Sequence, residues 1–400
     1  MSAARTRTRL GDVLRVKHGY AFSGMSASSD TALPVVVGIG NFDYAGGFRF
    51  GTTATKRYSG DYPSEFQLVP GDVLLAMTCQ TSGGEILGIP GTIPDDGQVY
   101  LHNQRLGKVE VTDSEQVDLR FVFHLARSGR FNRHLFATAS GSKILHTAPR
   151  RIEDFEIDLP PLGEQREAAA ALDALDDKIE SNRRVAKLSA LLAQERFRLL
   201  VEGADDEWVA GTLRDILSLV KDPARAGQFP DRPYVPIDTL PMRSLGIDGF
   251  RANGDARSSL LRFEQNDVLI GAMRVYFHRV VLAPFAGLTR TTTFVLRPHD
   301  EAYLGYALLL CNEDSTIAHA QGTSKGSTMP YAVWDGGLAD MAVRIPPRGV
   351  VVEFNATVMP LLSRVRDLYV EQTRLAALRD ALLPELIFGR IRANQEAAAA

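Results

Sequence analysis

The stretch Ile157-Asp158-Leu159-Pro160-Pro161 ends one globular module and leads into a long helix. A proline lacks an amide proton and biases the residue before it away from helical angles, so Pro160-Pro161 terminates the preceding structure. From Glu164 to Val201 the chain contains neither proline nor glycine and is rich in strong helix formers. The sequence therefore predicts a helix from Gly163 to Val201.

The same stretch returns near the end of the chain as Val343-Arg344-Ile345-Pro346-Pro347, again with a helical run behind it. The copies of this and other motifs lie roughly 180 to 200 residues apart, which is too far for a solenoid and suits a duplicated domain. The other pairs are Leu10-Gly11-Asp12-Val13-Leu14 with Leu213-Arg214-Asp215-Ile216-Leu217, Gly71-Asp72-Val73-Leu74-Leu75 with Asn266-Asp267-Val268-Leu269-Ile270, and Ala139-Ser140-Gly141-Ser142-Lys143 with Gln321-Gly322-Thr323-Ser324-Lys325.

Length and composition indicate an ordinary globular protein of two or three domains. The chain has 400 residues, of which 45% are hydrophobic and 23% charged. It contains no apolar run long enough for a transmembrane helix, and Met1 to Arg9 does not read as a secretory signal. Two cysteines, Cys79 and Cys311, cannot form a disulfide framework or a zinc site, so we expect a reducing, cytoplasmic setting.

The net charge of −3 conceals two basic islands. Leu119 to Ile152 and Val268 to His299 contain basic side chains but no carboxylate. A basic face on a nearly neutral protein is typical of phosphate binding, and the alternative is a solvated face without a partner. The basic residues are Arg120, Arg127, Arg130, Arg133, Lys143, Arg150 and Arg151 in the first island and Arg274, Arg279, Arg290 and Arg297 in the second.

Apolar spacing predicts how the helices pack. Leu119 to Phe136 reads as one helix with arginines along one side, and each long helix carries an apolar stripe that requires a partner helix. Pro360 should kink the second long helix or delay its start to about Met359. The predicted seam comprises Leu172, Leu175, Ile179, Asn182, Leu188 and Leu192 on the first helix and Leu361, Val365, Leu368, Gln372 and Leu375 on the second.

Two amides lie on the stripes, Asn182 on the first helix and Gln372 on the second. We expect them to meet, or nearly meet, across an antiparallel seam and to fix its register, as single buried amides can. The alternative is that one or both point to solvent.

The sequence lacks the motifs of catalysis. Gly322-Thr323-Ser324-Lys325-Gly326-Ser327 has the letters of a phosphate-binding loop in the wrong order, and no Gly-x-Gly-x-x-Gly opens a helix after a strand. The Asn/Asp-Pro-Pro-aromatic motif of amino-methyltransferases is missing, as is a carboxylate pair with a lysine at nuclease-like spacing. We expect no catalytic residue, no metal site and no cofactor bound by this chain.

The motifs together resemble the specificity (S) subunits of type I restriction-modification systems. Ile157 to Gln165 is similar to the start of the family's first conserved spacer helix, and Leu378 to Ile391 resembles its C-terminal spacer signature. Ala139-Ser140-Gly141-Ser142 and Gly71-Asp72-Val73-Leu74 resemble two other recurring motifs.

The second copy departs from this pattern at one place. Pro347-Arg348-Gly349 stands where Leu-x-Glu-Gln is expected, so we expect the contacts of Glu164 and Gln165 to lack a counterpart.

The resemblance implies an α+β fold with two pseudo-symmetric mixed α/β target-recognition domains, separated by two long antiparallel coiled-coil helices. Such a chain reads a bipartite, asymmetric site on double-stranded DNA and is not itself an enzyme. It docks two modification subunits, which supply S-adenosylmethionine and methyl transfer, and restriction (motor-nuclease) subunits join for cleavage. The predicted boundaries are 1–161 and 205–347 for the recognition domains, 162–204 and 348–393 for the spacer helices, and 394–400 for a tail.

Helix length predicts the spacing of the half-sites. About 30 helical residues at about 1.5 Å each separate the module centres by roughly 45 Å. At about 3.4 Å per base pair, that span is about 13 base pairs, so half-sites of about 3 to 5 base pairs leave an unread gap of roughly 8 to 10.

Base reading requires side chains with hydrogen-bonding groups in loops that reach the major groove. Lys56 and Arg57 are predicted to clamp phosphates, which positions the protein without specifying sequence. The predicted readers are Thr78, Gln80, Thr81, Ser82, Ser142 and Lys143 in the first module and Arg274, Tyr276, His278, Arg279, Thr323, Ser324 and Lys325 in the second.

Three other functions stay open at this point. A specificity subunit could serve a methylation-only or other phage-defence system. A coiled-coil scaffold could present two protein-binding modules, with the basic islands as solvated faces. An enzyme with unfamiliar motifs is the third, and turnover by the isolated chain would indicate it.

Overall fold

The protein forms two mixed α/β units in a computed structural model that describes residues 5–50, 55–247, 249–257 and 259–391. Unit 1 comprises Met1–Leu175 and Leu378–Ala400, and unit 2 comprises Asp176–Ala377. Each unit therefore contains one globular part and a portion of both long helices. The tail predicted at 394–400 lies outside the described residues.

Unit 1 packs short strands and helices around an apolar core that includes Leu10, Leu74, Phe121 and Leu172. Its strands are β1 (Thr6–Arg9), β2 (Leu14–His18), β3 (Val35–Val37), β4 (Lys56–Arg57), β5 (Gln67–Leu68), β6 (Val73–Ala76), β7 (Thr78–Cys79), β8 (Pro90–Thr92), β9 (Tyr100–His102), β10 (Leu106–Val111), β11 (Leu145–His146) and β12 (Glu156–Leu159). Its helices are α1 (Leu10–Val13), α2 (Leu119–Ala126), α3 (Gly129–Thr138), α4 (Pro149–Glu153) and the start of α5 (Leu162–Glu202).

Unit 2 has its own core, which includes Leu217, Ile270, Leu308 and Val365. Its strands are β13 (Val209–Thr212), β14 (Leu217–Leu219), β15 (Pro223–Ala224), β16 (Leu260–Phe263), β17 (Val268–Gly271), β18 (Val280–Leu282), β19 (Gly287–Arg290), β20 (Thr293–Pro298) and β21 (Ala342–Ile345). Its helices are α6 (Leu304–Cys311), α7 (Asp314–Gly322), most of α5 and most of α8 (Arg348–Ile387).

The two units repeat the same strand order. Unit 1 has a four-stranded sheet of order β2-β10-β6-β8 and a pair β1-β12, and unit 2 has β14-β20-β17-β18 and a pair β13-β21. Unit 1 also contains β4-β3-β9-β5 and β11-β7, and unit 2 contains β15-β16-β19. The sequence repeats thus occupy equivalent places in the two folds.

The repeated Gly/Asn-Asp motif builds the turn before β6 and β17. Gly71 and Asn266 adopt positive φ angles of +90° and +71°, which glycine and asparagine tolerate best. The Asp72 carboxylate then accepts a hydrogen bond from the Val69 amide at 2.9 Å, and that of Asp267 accepts one from the Glu264 amide at 2.7 Å.

Each of these aspartates also pairs with a basic residue on the neighbouring strand. Asp72 lies 2.9 Å from Lys108 on β10, and Asp267 lies 2.7 Å from Arg297 on β20. The aspartate of this motif therefore links two neighbouring strands and has a structural role.

The long helices begin where the double prolines predict, at Leu162 and Arg348. The expected delay at Pro360 is wrong, because α8 runs from Arg348 through this residue, which is exposed. A proline costs one backbone hydrogen bond in a helix interior, and 40 residues of continuous helix with a buried face tolerate that loss. The single helix predicted for Leu119 to Phe136 is also wrong, since Ser128 caps a new helix, α3.

The leucine stripe predicted on the second half of α5 is wrong. Leu188 and Leu192 are 60% and 47% exposed, and Val185 and Leu199 are exposed as well. The predicted Ile179 and Asn182 are buried, and the buried residues that follow them at helical spacing are Ala186, Ala193 and Phe197. Small inner alanines let a partner helix approach closely, and the larger leucines lie outside that contact.

Within unit 2, α5 and α8 run in opposite directions. Lys178 pairs with Glu371 at 3.3 Å, and the ring of Phe197 lies 6.4 Å from that of Phe354. Val365 and Leu368 of α8 are buried, Leu361 and Leu375 are half-buried, and in unit 1 Leu172 is buried and Leu175 half-buried.

Both amides of the predicted seam are buried, with Asn182 2% and Gln372 7% exposed. The alternative that they point to solvent is therefore wrong. Neither side-chain nitrogen has a hydrogen-bond partner, so the two amides do not bond to each other. Their role in the helix register stays a prediction.

The start of each long helix is tied to the rest of its unit by a side-chain amide. The buried Gln165 donates to the carbonyls of Gln116 and Pro160, both at 2.7 Å, and accepts from the Asp118 amide at 3.0 Å. In unit 2, Asn355 donates to the Glu301 carbonyl at 3.1 Å and accepts from the Gly305 amide at 3.0 Å. The expectation that Gln165 lacks a counterpart is therefore wrong, because a different residue one turn later replaces it.

Candidate nucleic-acid interface

A tight hairpin follows α3 in unit 1. Ser140 and His146 exchange backbone hydrogen bonds of 2.9 and 2.8 Å, which closes the hairpin. Gly141 has φ +102°, and a Cβ there would lie 2.0 Å from the Ile144 carbonyl oxygen, so only glycine fits this turn. The end of the hairpin, β11, pairs with β7 and brings it beside the loop that follows β7.

Unit 2 contains the same hairpin after α7. Lys325 and Tyr331 exchange two backbone hydrogen bonds of 2.9 Å, and Gly326 has φ +91°. Tyr331 forms a bridge with Met273, and the Arg274 amide donates to the Pro330 carbonyl at 2.7 Å. This hairpin is thereby joined to the loop that follows β17.

We name these two surfaces by their residues. The first hairpin edge comprises residues 78–85 and 140–146, and the second comprises residues 273–279 and 325–331. The shared geometry equates Ser140-Gly141-Ser142 with Lys325-Gly326-Ser327. The sequence alignment that equated Lys143 with Lys325 is wrong, because Thr328 takes the place of Lys143.

Each edge collects several of the predicted reading residues. On the first edge Gln80, Thr81, Ser82, Ser142 and Lys143 are exposed, and they come from two loops that β7 and β11 hold together. The Thr81 hydroxyl donates to the Glu85 carboxylate and lowers the pKa of that carboxyl.

On the second edge the exposed predicted readers are Arg274, Tyr276 and Lys325. Arg274 precedes a short 3-10 turn, Val275–Phe277, and has φ +50°. A left-handed backbone at a non-glycine residue is strained, and such strain clusters at functional sites. The prediction that these residues contact bases stays open.

Two predicted readers are buried and cannot reach DNA. Thr78 is 3% exposed, and its hydroxyl lies 3.1 Å from Nδ1 of His146. His278 is also 3% exposed, with Nε2 2.9 Å from the Asn312 carbonyl oxygen. Both predictions are wrong, because these side chains fasten the loops from the inside.

Three more of the predicted base-reading residues use their side chains to hydrogen-bond to backbone carbonyls. Arg279 donates to the carbonyls of Ile237 and Leu240. Thr323 and Ser324 end α7 by donating to the carbonyls of His319 and Ala320, at 3.0 and 2.7 Å. These residues shape the second edge, and assigning them to base reading is wrong.

Arg57 is likewise not a phosphate clamp. Its guanidinium donates to the carbonyls of Leu33 and Thr31 and to Oε1 of Gln98 at 3.1 Å, so it joins neighbouring loops. Lys56 lies beside it on β4 and is half-buried. Its predicted phosphate contact stays a prediction.

Several arginines of the two basic islands are paired with other groups inside the protein. Arg120 pairs with Asp173, Arg297 with Asp267, and Arg151 donates to the Thr138 carbonyl. Arg130 stacks over the Phe388 ring at 5.0 Å in unit 1. It borders a cleft of about 580 Å³ whose other basic residues are Arg127, Arg133 and Arg390.

Large apolar side chains also lie on these edges and were not predicted from the sequence. Ile144 and Met329 are 48% and 52% exposed, and Tyr331 is 50% exposed. A search for hydrogen-bonding side chains passes over them. The turn glycines Gly141 and Gly326 are the signal that could have located them.

Two kinds of site are not found in the part of the chain that the structure describes. No group of three or more His, Cys, Asp or Glu side chains among the described residues could hold a metal ion. None of the described helices has the length and hydropathy required to span a membrane.

Comparison with known proteins reveals one family. The model of the type I restriction modification DNA specificity domain matches residues 7–189. The chain is 22% identical over 311 residues to the type I restriction enzyme MjaIX specificity subunit of Methanocaldococcus jannaschii, covering 69% of each chain. It is 30% identical over 155 residues to the EcoBI specificity subunit of Escherichia coli, covering 38% of this chain and 30% of that one.

A solved structure shares the fold over nearly the whole chain. It is the crystal structure of a type I restriction-modification S subunit from M. genitalium, with a TM-score of 0.64 and 13% identity. The match covers 95% of both chains.

Proposed function

We propose that this protein, which belongs to the family of type I restriction-modification specificity subunits, reads a bipartite DNA site through its two hairpin edges. Members of this family are non-catalytic DNA-recognition subunits. The observation that carries the residue-level proposal is the repeated hairpin edge. In each unit the same turn joins two loops and exposes polar and basic side chains at one place.

The exposed residues divide into two roles. Gln80, Ser82 and Arg274 have the forked or hydroxyl groups that hydrogen-bond to base edges in the major groove. Lys143 and Lys325 carry point charges that suit phosphates. Since these side chains differ between the edges, the two half-sites would differ too.

The exposed face of α5 supports a docking role for the helices. In unit 2 this face presents Val185, Leu188, Leu191, Leu192 and Leu199 to solvent. Apolar side chains repeated along one helix favour burial by a partner helix. We assign this face to the modification subunits, which would bring S-adenosylmethionine, with restriction subunits joining the same cytoplasmic assembly.

In this proposal the two modules are arranged pseudo-symmetrically along antiparallel helices, and that arrangement would set the gap between half-sites. Adding one helical turn to both α5 and α8 should lengthen the gap and leave both half-sites unchanged. The methylated motifs of the host genome measure this directly. Altered half-sites at a constant gap would refute the ruler.

DNA binding by the full-length chain tests the proposed function itself. Purified protein, with the subunits that accompany it, is titrated against a random-sequence duplex and then a randomised pool at increasing salt. We expect affinity to fall steeply with salt, as counterion release requires, and a methyltransferase to co-purify. A protein that ignores DNA would indicate the scaffold function instead.

A further inference from the structure

Ile144 and Met329 occupy the same position on the two hairpins. Each lies three residues after the left-handed turn glycine, Gly141 or Gly326. Each is also the residue two before the end of its hairpin, at His146 or Tyr331. Their exposures are nearly equal, 48% and 52%.

Folding does not require a large apolar side chain at this position. The backbone hydrogen bonds and the turn glycine close each hairpin, and the inward side of the first edge is filled by Thr78 and Leu145. A single exposed apolar residue is ordinary on any protein surface. Two at the equivalent place, on edges whose other exposed residues differ, indicate a shared task.

DNA offers one apolar feature to such a side chain. The major groove admits a two-stranded ribbon, and the 5-methyl group of thymine is the only methyl that the four bases display there. The neighbouring exposed residues Ser142 and Lys143 on one hairpin, and Ser327 and Thr328 on the other, are polar or basic and suit the phosphates and base edges around such a contact.

We propose that Ile144 and Met329 are specificity-determining residues, each packing against the methyl group of one thymine in its own half-site. The inference rests on the proposed function, because it assumes that the hairpin edges face DNA. It adds a base identity to each half-site: one thymine whose methyl group is read by an apolar side chain.

The test removes the methyl group from the DNA and the apolar side chain from the protein. The full-length protein selects its site from the randomised duplex pool, and the selected duplex is resynthesised with deoxyuridine in place of each thymine in turn. One replacement in each half-site should weaken binding about fourfold, the factor expected for burial of one methyl-sized group.

Variants then assign each methyl group to its reader. Ile144→Ala should abolish the deoxyuridine effect in one half-site only, and Met329→Ala in the other only. Val69→Ala, which removes an apolar side chain of 57% exposure from the turn before β6, should leave both effects intact. All three positions are exposed, so thermal melting should be unchanged.

The outcomes separate this inference from the function beneath it. A selected motif without any methyl effect, or a methyl effect that survives both variants, overturns the thymine contact alone. A protein that selects no sequence overturns the proposed function together with the inference.

Discussion

The two hairpin edges share a backbone frame but hold their loops differently. On the first edge, Thr81 and Glu85 tie the loop by a side-chain hydrogen bond at the surface. On the second, two left-handed residues, Arg274 and His278, bracket the turn, and buried His278 anchors it to Asn312. The difference shows that the two copies of the fold share the hairpin backbone and differ in the side chains that hold the attached loops.

Removing the side-chain amides at the starts of α5 and α8 should have the largest effect on stability and should distinguish the two units. Gln165→Ala leaves three backbone groups, the buried Pro160 carbonyl and the part-buried Gln116 carbonyl and Asp118 amide, without this partner and should cost about 4 kcal/mol of unfolding free energy. Asn355→Ala breaks two bonds at a half-buried site and should cost about 2 kcal/mol. Both tryptophans, Trp208 and Trp334, lie in unit 2, so their fluorescence follows that unit while circular dichroism follows the whole chain.

Equal losses for the two variants, or a Gln165→Ala transition seen only by tryptophan fluorescence, would contradict this account. The neighbouring exposed Arg166 provides the control for the first variant. Arg166→Ala should change the unfolding free energy by less than about 1 kcal/mol, because an exposed ion pair contributes little.

Loss of the ion pairs that Asp72 and Asp267 make between strands should have the next largest effect on stability. Asp267 is 1% exposed and Asp72 is half-buried, so Asp267→Ala should cost about 3 kcal/mol and Asp72→Ala about 2 kcal/mol. Chemical denaturation followed by tryptophan fluorescence should detect the first variant as a shift of unit 2. A larger loss for Asp72→Ala would show that burial does not rank the two ion pairs.

Acid should weaken unit 1 through a histidine that unit 2 lacks. Burial lowers the pKa of His102 from 6.5 to about 4, and the equivalent place on β19 is Thr289. Because the folded pKa is depressed, stability is complete above the ordinary pKa and is lost as the pH falls from 6.5 towards 4.

At about pH 5 this loss amounts to about 2 kcal/mol. Circular dichroism melts from neutral to acid pH measure it, and His102→Gln should flatten the dependence over that range. A dependence that persists in His102→Gln would assign the acid sensitivity to other groups.

The exposed cations of the two edges should affect DNA binding in different ways. Arg274→Ala should cost about 1 to 2 kcal/mol and relax one base position, as the loss of a base contact does. Lys143→Ala should cost less, weaken binding to all sequences alike and reduce the salt slope by about one unit. Sequence selection at two salt concentrations distinguishes these results, and a uniform loss for Arg274→Ala would place it on a phosphate.

Local rules predicted much of this frame from sequence. Double prolines located the starts of α5 and α8 to within a residue, and the Gly/Asn-Asp motif marked β6 and β17, since backbone chemistry decides both. The loops that form the two edges were also located approximately, because repeated motifs lie in or beside them in each unit.

Long-range packing decides the features that could not be predicted from the sequence. Hydrophobicity alone favoured Leu188 over Ala186 as the inner residue, whereas close helix packing selects the smaller side chain. A polar residue such as His278 looks available in a sequence, and only the fold reveals the carbonyl of Asn312 that occupies it. The residues of the two hairpins can be matched only through their backbone bridges, because the repeats in the sequence had paired the wrong residues.

Methylation mapped across the host genome, with the wild-type chain and with Arg274→Ala, tests the central claim most directly. We expect a split motif with two different half-sites and one fixed gap, and a variant motif relaxed in a single half-site. A contiguous motif, or a variant that changes both half-sites together, would contradict the claim that each hairpin edge reads its own half.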